Sequence, residues 1–190
     1  MELCVDQHVS NPERWTGFSD EQPQESDLWG TSSLDLPANL RTWFSDSTLL
    51  WWIRQELEHL GAAQPRLQEH LQADTKESPS GMLGILALAF ASQIFASDDI
   101  AEACRSDRAF QRLCNGRPPF AHELCDYRRR YRPTLERILT GVFTQAIMNR
   151  FGLASALLPL ELQEDLRAHA AERLDLARHM DAEPMGQNVF

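Results

Sequence analysis

Residues 81–95, GMLGILALAFASQIF, form the one sustained apolar run in the chain. At fifteen residues the run is short of the ~20 needed to cross a bilayer, so it predicts a helix buried inside the protein rather than a membrane span. A helix without a polar face has to be enclosed by other elements. The rest of the sequence is therefore read for elements that can surround it.

Those elements are helical. PANLRTWF, just after Leu36, predicts a short helix, and SDSTLLWWIRQELEHL a longer one with Leu49, Trp52, Ile53, Leu57 and Leu60 on one face. Ser47 is the expected cap of that helix and Gly61 its expected end. PRLQEHLQA begins another candidate at Pro65, followed by a polar linker at 74–78; Ser78 and Pro79 then open the apolar helix. Ser97, followed by Asp98 and Asp99, reads as the cap of a short helix, and Asp107 as the cap of the next, which Gly116 closes. Pro118 and Pro119 enforce a corner. A third helix runs from Phe120 to Tyr131, with Phe120, Leu124 and Tyr127 expected inward and His122, Arg128, Arg129 and Arg130 expected outward. Pro133 starts a long helix striped by Leu135, Ile138, Leu139, Val142, Phe143 and Ile147. After Gly152, a last helix carries Leu162, Leu166, Leu174 and Ala177 on one side. No segment alternates as a strand would, and no internal repeat is present. The fold expectation is all-α: a helical bundle containing a helix-turn-helix-like unit.

Its organisation follows from composition. Residues 1–35 are rich in Ser, Asp, Glu, Gln, Pro and Gly without periodicity, and are expected to be a disordered acidic leader punctuated by Trp15, Phe18 and Trp29. Residues 36–152 form the expected helical domain, 153–182 a C-terminal helix and 183–190 a tail. The amino terminus has neither the basic nor the apolar region of a secretory signal. Cys4, Cys104, Cys114 and Cys125 are too far apart for a CxxC pair; Cys104, Cys114 and Cys125 fall on helical segments and are expected to be buried thiols in a reducing cytoplasm.

Charge is distributed unevenly. The net charge is −10, yet residues 81–150 carry ten arginines against seven acids, crowded between Arg105 and Arg137. The chain has a single lysine, Lys76. Arginine's planar fork suits phosphate oxygens and guanine edges. Helix, tight corner, helix is also the shape of units whose second helix enters the major groove. Periodicity and charge leave three readings open: a DNA-binding domain, a protein-interaction module, and a folded fragment with little activity.

A run within 97–130 narrows them. Ser97-Asp98, Ile100, Ala103, Asp107-Arg108-Ala109-Phe110, Leu113, Gly116, Pro119 and Tyr127-Arg128-Arg129-Arg130 resemble, in order and spacing, the amino-terminal domain of InsH-type insertion-sequence transposases. The Leu36-Pro37 opening, the helix to Leu60 and the long apolar helix extend the resemblance over about 36–150. The resemblance implies a DNA-binding domain. Two departures accompany it. Phe120, Ala121, His122 and Glu123 stand where the family has mainly polar residues. Nothing after Arg150 reads as the strands of the family's metal-binding nuclease fold, and Glu161, Glu164 and Asp165 lie on one helix as a solvated face. No HExxH, phosphate loop or nucleophile motif is present.

The expectation is thus a non-catalytic, transposase-derived protein, without metal or cofactor, that binds double-stranded DNA as a regulator or element remnant. Arg128, Arg129, Arg130 and Arg132 are its expected phosphate contacts, with Arg117 and His122 near the corner. The alternative is a module that self-associates, or that pairs with and inhibits an intact transposase. For it, Trp51 and Trp52, which diverge by ~100° on a helix, supply an interface anchor.

Overall fold

The structure is a computed structural model that describes residues 36–63, 79–153 and 158–182. The leader, the helix expected from Pro65, the linker at 74–78, Cys4 and the tail lie outside the described residues.

Among the described residues, seven α-helices follow a short 3-10 turn at Leu40–Thr42: α1 (Asp46–Ala63), α2 (Pro79–Ala91), α3 (Ser97–Ser106), α4 (Arg108–Cys114), α5 (Ala121–Arg130), α6 (Arg132–Phe151) and α7 (Leu160–Ala182). The all-α expectation holds. The apolar run is the axis of the bundle: α2 packs against all six other helices, and every residue from Met82 to Ser92 is buried. No helix among the described residues is long and apolar enough to cross a membrane.

Several boundaries differ from the sequence reading, each for a local reason. The apolar helix ends at Ala91 instead of running to Phe95. Gln93 adopts a left-handed φ of 65°, and the Ile94 N–H reaches back to the Ala89 carbonyl (2.9 Å). This is the hydrogen bond of a Schellman stop, with glutamine in the position glycine usually takes. The chain then folds back so that Phe95 stacks on Phe90. Gly61 does not end α1; it is buried inside it. Ser45, not Ser47, caps α1, its hydroxyl accepting from the Thr48 N–H (3.3 Å). Ser97 is the first residue of α3 rather than its cap, and its N–H and Oγ both donate to the Asp181 carboxylate (2.9 and 2.6 Å). Asp107 does cap α4, accepting from the Ala109 N–H at 2.7 Å.

Two arginines, Arg41 half-buried and Arg173 buried, fix the segment that leads into α1. Arg41 bridges Asp46 and Asp107 at 2.8 Å each and lies over the Phe110 ring. Burial opposes its charge, but the hydrogen bond to Asp107 and the two nearby carboxylates outweigh that, and its pKa is raised. Arg173 of α7 has no ion pair among the described residues. It donates to the carbonyls of Phe90 and Pro37 (2.7 Å each) and sits 4.6 Å above the Phe143 ring. Burial pushes its pKa down to about 10, so it remains a cation at neutral pH. The Phe90 carbonyl belongs to the last turn of α2, where the helix dipole favours positive charge.

Truncating Arg173 removes two charge-assisted hydrogen bonds and strands two carbonyls in the interior. Arg173→Ala is expected to cost about 3 kcal/mol, read as a lower denaturant midpoint at unchanged slope.

Gly141 of α6 marks a close approach to α1. A Cβ there would collide with the Glu56 carboxyl, which lies over the glycine. Burial raises the Glu56 pKa. A carboxyl whose folded pKa is raised destabilises the fold at neutral pH, and that cost fades as pH falls toward its unfolded value. The obstacle is the free end of a flexible side chain. Gly141→Ala is therefore expected to swing Glu56 into solvent and to stabilise by about 0.5–1 kcal/mol through helix propensity. Melts at pH 7 and pH 4 test this, the gain being larger at pH 7.

Candidate nucleic-acid interface

The corner between α4 and α5 begins where Asn115 and Gly116 take left-handed φ values of 47° and 81°. The Arg117 N–H donates to the Cys114 carbonyl (2.9 Å), and Pro119 is buried. The Phe120 N–H donates to the Glu123 carboxylate (2.8 Å), closing the first turn of α5. Ala109, Phe110 and Cys114 form the inner side of α4, so Arg108 and Arg112, one turn apart, project outward. On α5, Leu124 and Arg128 face inward, leaving His122, Asp126, Arg129 and Arg130 as the outer stripe.

The expected site residues therefore separate. Arg117 is exposed, with no ion pair among the described residues. His122 is exposed and stacks on Phe120. Arg129 is 71% exposed and only loosely paired with Asp126 at 3.9 Å, and Arg130 lies over the Tyr131 ring. Arg132 pairs with Asp175 of α7 at 3.2 Å.

Arg128 requires correction. It is 4% exposed, ion-paired with Asp181, and donates to the Ala177 carbonyl (3.0 Å). It locks α5 to the last turns of α7 and is not available to phosphate. Phe120, expected inward, is 62% exposed. The two tryptophans divide as well. Trp51 is 58% exposed, whereas Trp52 is a core residue in edge contact with Phe44 and is not an interface anchor.

Arg108 and Arg112 were missed by the sequence reading. Both are exposed without an ion pair among the described residues. Their signal was the four-residue spacing opposite Ala109 and Phe110. Arg105, at the end of α3, is exposed and pairs with Glu102 at 3.2 Å. Acids are gathered at the other end of α3, where Asp98 and Asp99 occupy the first turn. The basic character thus concentrates toward α4 and the corner.

Other chemistry is sparse. Cys104 and Cys114 are buried free thiols; interaction with Cys114 and burial push Cys104 well above the usual thiol range. Burial also raises the half-buried Cys125. Glu161, Glu164 and Asp165 are exposed on α7. Among the described residues, no group of three or more His, Cys, Asp or Glu is placed to hold a metal ion. No protein-family model, curated protein or solved structure matches the chain.

Asp181 joins three elements by accepting from Ser97 and Arg128. Burial opposes its ionisation, but those hydrogen bonds and the Arg128 charge outweigh it, and its pKa falls below the usual carboxylate value. A depressed acid stabilises the fold fully above its unfolded pKa, and that stabilisation is lost as pH falls through the folded value. Asp181→Asn should cost about 3 kcal/mol at neutral pH, because it leaves Arg128 buried without a counter-charge. The gap to the parent should begin to narrow below pH ~4, where the carboxylate of the unfolded chain protonates, and close as pH falls through the lower folded value. Melting curves across pH 2.5–7 check both statements.

Proposed function

We propose that this chain is a non-catalytic DNA-binding protein that holds double-stranded DNA through arginines on α4, the corner and the outer face of α5. The observation that carries this reading is that Arg108, Arg112 and Arg117 project into solvent without carboxylate partners among the described residues, in a chain with 28 acidic residues. Arginines that serve the fold here have their donors taken up within it: Arg41 by Asp46 and Asp107, Arg128 by Asp181, Arg173 by the Phe90 and Pro37 carbonyls. The unpaired ones are free to neutralise phosphates, each contact releasing counterions from the duplex. His122, Arg129 and Arg130 extend the same surface along α5, as the second helix of a helix-turn-helix-like unit does. The resemblance to InsH-type transposase amino-terminal domains points the same way and supports a regulator or an element remnant as the setting.

The test is binding of a fluorescent duplex across a salt series. Arg108→Ala/Arg112→Ala/Arg117→Ala is expected to weaken binding at least tenfold and to lower the salt slope by about 2–3, near 0.9 per lost phosphate contact. Arg128→Ala should melt lower while its folded fraction keeps the parental slope. No binding at 50 mM salt, or an unchanged slope in the triple variant, would overturn the reading.

A second reading rests on Trp51, whose large apolar ring stands 58% exposed on α1. Exposed tryptophan is a common interface anchor, which fits self-association or pairing with an intact transposase. Sedimentation of the parent and Trp51→Ser at micromolar concentration tests it: a parental dimer that the variant loses supports it, and monomers in both remove self-association.

A further inference from the structure

Phe120 is the large hydrophobic side chain that the basic surface leaves uncovered. It is 62% exposed and lies nearly parallel to the His122 ring, with 14° between the planes and 5.8 Å between the centroids. We propose that this ring pair is a stacking platform for an unpaired nucleobase, so that the arginine surface favours DNA with locally opened or single-stranded positions. The inference rests on the proposed DNA-binding reading and specifies its ligand further.

Three features fit that role. The platform is held in place: Pro118 and Pro119 restrict the backbone before it, Pro119 is buried, and the Phe120 N–H and C=O are engaged by Glu123 and the Leu124 N–H. The Phe120 ring is thus kept outward by its backbone. Cations also outnumber acids around it, the acids of α5 being Glu123 and Asp126. Arg117 precedes the ring by three residues, with Arg112 and Arg108 leading to it along α4, and Arg129 and Arg130 follow about 10–12 Å along α5 from His122. Phosphates on either side of an extruded base meet charge of the right sign at both ends. Finally, a flat aromatic surface accepts any base, because every base has a π-face, and aromatic platforms beside basic grooves are a general way of holding single strands. A protein partner fits this spot less well. The other exposed large apolar side chains, Trp51, Phe151, Leu160, Leu176 and Met180, are on α1, α6 and α7, whereas the exposed residues next to Phe120 in the chain are Arg117, Pro118 and His122.

The experiment compares three fluorescent DNAs of one sequence: a duplex, the same duplex with a three-nucleotide bulge, and the single strand. A 2-aminopurine in the bulge reports stacking directly. The parent is expected to bind the bulged duplex and the single strand at least tenfold more tightly than the plain duplex, and to quench the 2-aminopurine. Phe120→Ala should lose the excess affinity and the quenching while keeping the plain-duplex affinity and its salt slope; Phe120→Trp should retain both. Its exposed position makes loss of folding unexpected, and a parental melting curve for each variant confirms it. Equal binding to all three DNAs, or parental quenching by Phe120→Ala, overturns the platform alone. Absence of binding to any DNA overturns the DNA-binding reading and the platform together.

Discussion

Everything in this bundle is arranged around the need to keep water away from α2. A helix with no polar side cannot sit at a surface without exposing a broad apolar strip, so each neighbour must turn its own apolar stripe toward it. The six other helices all pack against it. The polar groups that matter lie where enclosure is hardest, at the end of α2. There the final carbonyls must find donors away from water. The Schellman turn through Gln93 and Ile94 satisfies one, and Arg173 reaches in from α7 to satisfy the Phe90 carbonyl. That arginine also holds the Pro37 carbonyl, so closure of the core and placement of the segment leading into α1 are a single event.

The arginines show how one residue type serves two purposes under one rule. A guanidinium can leave water only where its donors are received. Arg41, Arg128 and Arg173 meet that condition with carboxylates, carbonyls and ring faces, and each ties together segments distant in sequence. Arg108, Arg112 and Arg117 meet no such acceptors among the described residues and remain in solvent. What an arginine offers an external anion is thus fixed by what the fold does not take from it. In the Arg128–Arg130 run the division falls between adjacent residues: Arg128 is internal, Arg129 and Arg130 external.

How much of this was legible in the sequence depends on the range of the interaction. The helices and the buried status of α2 were readable because apolar spacing is a local property. Asp107 could be read as a cap because its partner is two residues away. Ser97 could not be assigned correctly, because the group satisfying its N–H is Asp181, 84 residues later. Arg128 left a local trace: it stands one turn after Leu124 and shares its inward phase, but a run of three arginines suggests a charged surface, and the compensating Asp181 is invisible from the run itself. Phe120 was misplaced for the opposite reason. Hydrophobicity implied burial, whereas the backbone from Pro118 to Glu123 holds the ring outward. Trp52 shares the phase of Leu49, Ile53 and Leu60 and is buried with them; Trp51, one residue earlier, is out of phase and exposed.

The net charge of −10 looks like an argument against DNA, but charge acts over the Debye length and not over the sequence. At physiological ionic strength that length is about 8 Å, comparable to the spacing of a few side chains. A phosphate at the α4 corner therefore responds chiefly to Arg108, Arg112, Arg117 and their immediate neighbours, and only weakly to acids beyond that range. Near 0.01 M salt the length grows to about 30 Å, and the whole acidic chain enters the field. The local term favours binding most at low salt, while the global term opposes approach most strongly there. The two act on different quantities. Contacts made after docking set the dissociation rate, and the long-range field sets the association rate. Under the proposed DNA-binding reading, an acidic protein with a basic face would meet DNA slowly and retain it locally, favouring DNA already held nearby over long-range capture.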